Sequence, residues 1–250
     1  MAEQRVQWFK FASPPNFYDL SGRLAPWFAA LAALLAVIGL YIGFILAPPD
    51  YQQGNSYRIM FIHVPTAWMS MFLYVLMAVY AAIGLIWRIK TAEAMAKAIA
   101  PTGALFAFLC LWTGALWGKP TWGTYWVWDA RLTSQLILLF LYLGYIALHA
   151  AIEDRQRASD ASAILALAGV VNVPIIYFSV VWWNTLHQGA SITVTSAPAM
   201  ETVMFAALMV MTFACWMYAI AVVLWRARLE LMERERRSAW VVERMGAEKP

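Results

Sequence analysis

The sequence predicts an all-α fold, a polytopic membrane bundle of six transmembrane helices, and three observations predict it. Of the 250 residues, 63% are hydrophobic and only 13% are charged, where a soluble domain carries about 25%. The mean hydropathy is +0.63. One soluble core of this length cannot hide that much apolar surface, and the same composition excludes a disordered chain. The charges also bracket long uncharged stretches, and a helix needs about 20 apolar residues to cross the hydrocarbon core. Finally, those stretches lack the alternation of a membrane barrel.

The first span, about 25–47, follows Arg23 and ends at Pro48-Pro49-Asp50. The second, 62–87, lies between Arg58 and Arg88, and Pro65 suits a first turn, where its missing N–H costs nothing. The third, 98–117, fits between Lys97 and Lys119, and the fourth, 133–152, between Arg131 and Glu153. Forty uncharged residues follow, 161–200. Their second half is polar (Asn184, Thr185, Gln188, Ser191, Thr193, Thr195, Ser196), so the expected helix covers 163–183, with a loop to about 199. The sixth span, 200–225, precedes a tail, 226–250, whose mixed charges read as a solvated helical extension. One membrane domain, 1–250, is the simplest description.

Lys and Arg set the orientation. Segments 1–24, 88–97, 153–160 and 226–250 hold 15 of the 18, and the three intervening loops hold 3. Both termini and the tail are therefore expected in the cytoplasm. The other three loops face outside, which is the periplasm for a bacterial inner membrane. Arg5, Lys10 and Arg23 precede no compact apolar segment with a small-residue cleavage site, so no cleavable signal peptide is expected. The net charge of +4 follows this distribution and does not indicate nucleic-acid binding. Cys110 and Cys215 lie far apart in apolar runs, with no zinc or haem-attachment spacing.

The chemistry gathers on the outer side. His63, in Phe61-Ile62-His63-Val64-Pro65, opens the second span, and His187, in Asn184-Thr185-Leu186-His187-Gln188-Gly189, follows the fifth. His149 is near the inner end of the fourth and receives no site role. An interfacial imidazole can be a ligand, a proton acceptor or simply a polar interface group. No third His, Cys or nearby carboxylate completes a zinc site. Two histidines suffice for a six-coordinate haem iron, whose porphyrin supplies the other four nitrogens.

Between the third and fourth spans, Trp117, Trp122, Trp126 and Trp128 fall within twelve residues. An aromatic belt at the membrane interface is one reading. The other is an indole platform: Trp122, Trp126 and Asp129, at i, i+4 and i+7, share one face if the segment is helical. Such a face suits a planar apolar macrocycle. Arg131 could pair with a propionate or bridge to Asp129.

The run Trp117-Gly118 through Trp122-Gly123-Thr124-Tyr125-Trp126-Val127-Trp128-Asp129-Ala130-Arg131-Leu132-Thr133 resembles the tryptophan-rich WWD signature of the haem-handling proteins of cytochrome c biogenesis. His63-Val64-Pro65 and Trp183-Asn184-Thr185-Leu186-His187-Gln188-Gly189 resemble that family's two histidine motifs. The length and layout are similar to its shortest, CcmC-type members. The resemblance spans helix two through helix six, and places the WWD segment, 117–133, outside.

It implies a binding and transfer subunit rather than an enzyme. Such a subunit binds haem b on the periplasmic face of the inner membrane and presents it to the haem chaperone CcmE for covalent capture. It works beside an ATPase (CcmA), a second membrane subunit (CcmB) and a small helical protein (CcmD). The resemblance makes His63 and His187 the axial haem ligands. It makes Trp117, Trp122, Trp126 and Trp128 the platform, with Asp129 and Arg131 ordering it or contacting propionates and partner.

Two other functions stand beside this one. A haem-exporting permease of an ABC complex would show polar or broken helices near the midplane. Here no span carries Asp, Glu, Lys or Arg, and Pro174 is the main interruption. A membrane redox haem protein would hold its haem between helices within the bilayer; a midpoint potential and a quinone-reduction assay separate that case.

Overall fold

A computed structural model describes residues 10–187 and 198–246. Gln188, Gly189 and the polar residues Ser191, Thr193, Thr195 and Ser196 lie outside the described residues, as do Arg5 and 247–250. The described chain is helical: α1 (Pro14–Tyr41), α2 (Met60–Trp87), α3 (Lys90–Trp122), α4 (Ala130–Ala151), α5 (Arg155–Gly169), α6 (Asn172–Trp182), α7 (Thr202–Arg234) and α8 (Ala239–Gly246). Taking α5 and α6 together, six helices are long and apolar enough to cross a membrane.

Several helices outrun their apolar stretches. α1 starts at Pro14, where two prolines occupy the first turn and lose no intrahelical bond. It closes in a wider π turn, Ile42–Leu46. A 3-10 turn, Ser56–Ile59, leads into α2, so Pro65 stands inside the helix rather than in its first turn. Arg88 takes the left-handed conformation (φ 55°) that ends α2, and its N–H reaches the Gly84 carbonyl at 2.9 Å. Two residues later α3 begins, running antiparallel to α2.

The core lies where α2, α3, α4 and α7 meet, and α3 contributes mostly small residues to it: Ala96, Ala100, Gly103, Ala104 and Ala107. Small side chains let helix backbones approach closely in a membrane. A Cβ at Gly103 would stand 2.2 Å from the Tyr142 ring. The glycine thus makes room for a buried tyrosine whose hydroxyl donates to the Ser70 carbonyl at 2.7 Å. α1 leans mainly on α7 and leaves Trp27, Leu34 and Val37 exposed, a surface suited to lipid.

The fifth crossing is not the continuous helix expected over 163–183. It is broken at Val170-Val171 into α5 and α6. Pro174, third in α6, has no N–H for the Val170 carbonyl, and its ring crowds that carbonyl. The Val170 carbonyl instead accepts from Val173 N at 3.1 Å. Asn172, buried beside the break, donates to the Ser134 carbonyl at 2.8 Å.

The tail meets the expected helical extension only in part. α7 continues to Arg234 and α8 folds back onto α1, with Trp240 beside Tyr18 (ring centroids 5.6 Å apart) and Arg244 paired with Asp19 at 2.6 Å. Its charges pair across helices rather than along one: Lys97–Glu230 at 2.7 Å, Lys90–Glu235 and Arg234–Glu93 at 2.5 Å, Arg155–Glu233 at 3.3 Å. Arg88–Asp160 joins the same end. Cys110 and Cys215 are both free thiols.

Candidate functional site

At the opposite end from the described termini, α2, α3, α4, α6 and α7 enclose a pocket of about 720 Å³. Its wall is largely apolar, and the polar groups reaching it include His63, Gln135, Arg131 and His187. Apolar walls with a few converging polar groups are the usual build of a small-molecule site.

The frame around the entrance is tied by side chains. Arg58 donates to the carbonyls of Gly43 (2.6 Å) and Ala47 (2.7 Å). It thereby satisfies the last turn of the first crossing, where carbonyls lack intrahelical partners. Tyr57 donates to the Pro48 carbonyl at 2.7 Å. Gln53, in the same loop, accepts from the Trp117 indole N–H at 2.7 Å.

His63, fourth in α2, is 8% exposed. Its Nδ1 lies 3.0 Å from the Cys110 carbonyl and 3.2 Å from Thr113 Oγ1, both on α3. Gly114 admits the ring, since a Cβ there would stand 2.8 Å from His63 Cε1. Trp117 meets the imidazole edge-on, with centroids 5.7 Å apart and planes at 76°. His187, five residues beyond α6, closes the other side. Its ring centroid is 6.3 Å from that of His63, with the planes 31° apart. Trp122 flanks it at 6.0 Å, and Arg131 Nη1 is 3.1 Å from its Nδ1.

The tryptophan segment is not the continuous helix that an i, i+4, i+7 face requires. α3 stops at Trp122, and Gly123 takes the left-handed conformation (φ 80°) that glycine tolerates best. The chain is then irregular until Asp129, whose carboxylate caps α4 by accepting from Leu132 N at 2.8 Å. Trp117, Trp122 and Trp126 line the pocket all the same. Trp128 stands outside it, 78% exposed, against the edge of Trp126 (5.4 Å, 78°). Asp129 is a helix cap rather than a wall residue.

Among the described residues no three His, Cys, Asp or Glu side chains cluster for a metal ion. The pair of imidazoles nonetheless fits an iron that brings its own four equatorial nitrogens. Two metal–imidazole bonds of about 2 Å place the ring centroids about 6 Å apart across one metal. His63 Nδ1 faces the Cys110 carbonyl, the second-shell contact typical of a ligating histidine, whereas His187 Nδ1 faces the donor-only Arg131 guanidinium. The Trp126 indole N–H is buried with no hydrogen-bond partner among the described residues and borders the pocket. That is the kind of donor a ligand carboxylate completes.

Sequence reasoning missed three contributors. Gln53 is an ordinary loop glutamine with no local signal. The Cys110 carbonyl is backbone, invisible to any motif. Gly114 had the strongest trace, a glycine inside an apolar helix, which often marks close approach.

The chain matches the family described as Heme exporter protein C over residues 7–242. A protein of that name from Haemophilus influenzae is 50% identical over 231 residues, covering 92% of this chain and 94% of the relative. The Escherichia coli protein of the same name is 48% identical over 234 residues, 94% of each chain. One from Paracoccus denitrificans is 41% identical over 227 residues, 90% of this chain and 94% of the relative. The chain therefore belongs to the Heme exporter protein C family.

Proposed function

We propose that the pocket binds haem b, with His63 and His187 as axial ligands. In this reading the protein presents haem at the periplasmic face of the bacterial inner membrane to the chaperone CcmE. Family membership supports a haem-handling role in cytochrome c maturation and a place as a membrane subunit of an ABC-type haem exporter. The observation that carries the site is the opposed pair of imidazole rings, 6.3 Å apart, over an apolar cavity. The periplasmic placement rests on the 15:3 split of Lys and Arg. ATP hydrolysis belongs to a CcmA-type partner, with CcmB- and CcmD-type subunits completing the assembly.

When bound, haem supplies the iron and a reactive porphyrin edge. The chain's residues do the rest. Trp117, Trp122 and Trp126 cover the ring and exclude water; burial yields about 25 cal/mol per Å² of apolar area. His63, held by the Cys110 carbonyl, would hold the iron from the α2–α3 side. Exposed Trp128 lies at the rim, where a partner protein can reach it.

A haem-exporting permease is the second reading, and the break at Val170-Val171 favours it, because transporter sites often use discontinuous helices. The buried polar groups near the break argue the other way. Asn172 donates to the Ser134 carbonyl, and Gln135 donates to Ser70 at 3.0 Å, so both are tied to neighbouring helices at the break.

The test is the visible spectrum of the protein purified in detergent, oxidised and reduced, beside His63→Ala and His187→Ala. Low-spin six-coordinate haem in the wild type, turning high-spin in both variants, is expected. A wild type that holds no haem after haem is supplied sinks the proposal.

A further inference from the structure

The two imidazoles are not equivalent, and the difference lies in what faces each Nδ1. His63 Nδ1 faces the Cys110 carbonyl, which can only accept. The nearby Thr113 hydroxyl is 2.6 Å from the Leu109 carbonyl and donates there, so it too accepts from His63. His63 therefore carries its proton on Nδ1 and turns a lone pair outward on Nε2. This is the tautomer that ligates a metal.

His187 Nδ1 faces Arg131 Nη1 at 3.1 Å. A guanidinium has five N–H donors and no acceptor. His187 Nδ1 must then accept, and the neutral ring keeps its proton on Nε2. Neither nitrogen is ready for iron: one is protonated and the other is occupied by Arg131. Ligation through Nε2 requires that proton to move to Nδ1 by exchange with solvent, after which Nδ1 can no longer accept from Arg131. Ligation through Nδ1 requires Arg131 to leave that atom directly. By either route Arg131 departs first.

An anion is the natural destination for it. Arg131 borders the pocket, and among the described residues no carboxylate lies within ion-pairing distance of it. Its planar fork matches a carboxylate in two-point geometry. The unpartnered Trp126 N–H borders the same pocket and offers a second donor.

We propose that Arg131 is a positioning residue that couples recognition of the porphyrin carboxylates to ligation by His187. A carboxylate in the pocket draws the guanidinium off the imidazole and so releases the second axial ligand. An iron porphyrin without carboxylates binds to His63 and leaves His187 latched. The inference rests on the haem reading above, and selects for dicarboxylate porphyrins through coordination state rather than through affinity alone.

The experiment uses the full chain in detergent, loaded with ferric haem or with ferric haem dimethyl ester, which has the same ring and no free carboxylate. Visible and electron paramagnetic resonance spectra report coordination and spin state. Haem gives the six-coordinate low-spin form in the wild type, and the ester gives a five-coordinate high-spin form. Arg131→Met removes the latch, so the ester becomes six-coordinate and low-spin in that variant. A low-spin ester complex in the wild type overturns the coupling while leaving bis-histidine binding intact. An ester that stays high-spin in folded Arg131→Met also overturns it. Failure of haem itself to give the low-spin form in the wild type overturns the bis-histidine reading, and the coupling with it.

Discussion

The two ends of the bundle are held by different forces. At the end that gathers the described termini, six ion pairs join α1 to α8, α2 to α5, α3 to α7 and the turn after it, and α5 to α7. At the pocket end no ion pair occurs among the described residues. Hydrogen bonds from Arg58, Tyr57 and Trp117 hold the frame, and buried polar atoms of Trp126 and Asp129 have no partner among the described residues. One end is closed by mutual satisfaction of its charges. The other keeps an unmet indole donor beside an apolar hollow, the condition in which a ligand can add what the fold lacks. The difference separates residues that keep the protein folded from residues that decide what it binds.

Substitutions can break that separation. The largest effect is expected from Arg234→Ala, which removes the ion-pair partner of the Glu93 carboxylate, whose side chain is 3% exposed, and leaves it only the Gln156 amide at 3.4 Å. Removing one member of a buried pair costs roughly 3–5 kcal/mol. The thermal midpoint in detergent should drop sharply, while the protein that remains folded keeps the wild-type haem spectrum. A changed spectrum with unchanged stability would mean that the two ends are coupled after all. Gln53→Leu acts at the other end and frees the Trp117 indole. The loss of about 1 kcal/mol expected for one hydrogen bond corresponds to roughly five-fold weaker haem binding, measured by titration, with little change in the midpoint. Arg244→Ala should do least. Both partners of that pair are about two-fifths exposed (41% and 39%), and such pairs contribute roughly 0.2–1 kcal/mol, screened by salt. Unfolding at low and high salt should show even that small difference shrinking.

Much of this division could be read in the residues, and the failures have physical causes. The six apolar helices followed from where charges stop, because the bilayer tolerates few of them. The histidine motifs pointed at two rings that the fold does bring together. The shared face of Trp122, Trp126 and Asp129 was conditional on a helix, and the segment's own punctuation opposes one: Gly123 ends α3 and Asp129 caps α4. The break in the fifth crossing was foreshadowed by Pro174, but its position, three to four residues earlier, follows from the carbonyl that proline cannot serve. The tail's charges suggested a solvated helix because a sequence shows only local neighbours; their partners, Glu93, Lys90 and Lys97, lie more than a hundred residues away. Gln53 and the Cys110 carbonyl were beyond reach for the same reason.

The break at Val170-Val171 has a mechanical consequence for His187. Beyond it α6 runs eleven residues, a rod about 16 Å long at 1.5 Å per residue. It packs mainly against α4 and touches α2 only slightly. A swing of about 10° at the break carries the tip of that rod about 3 Å, more than the length of a metal–imidazole bond. His187 follows just past the tip, and His63 is anchored to α3 on the facing side. One imidazole is thus mounted on the wall and the other on a lever arm, so a small rotation of half a helix changes the gap between the two rings by more than a bond length.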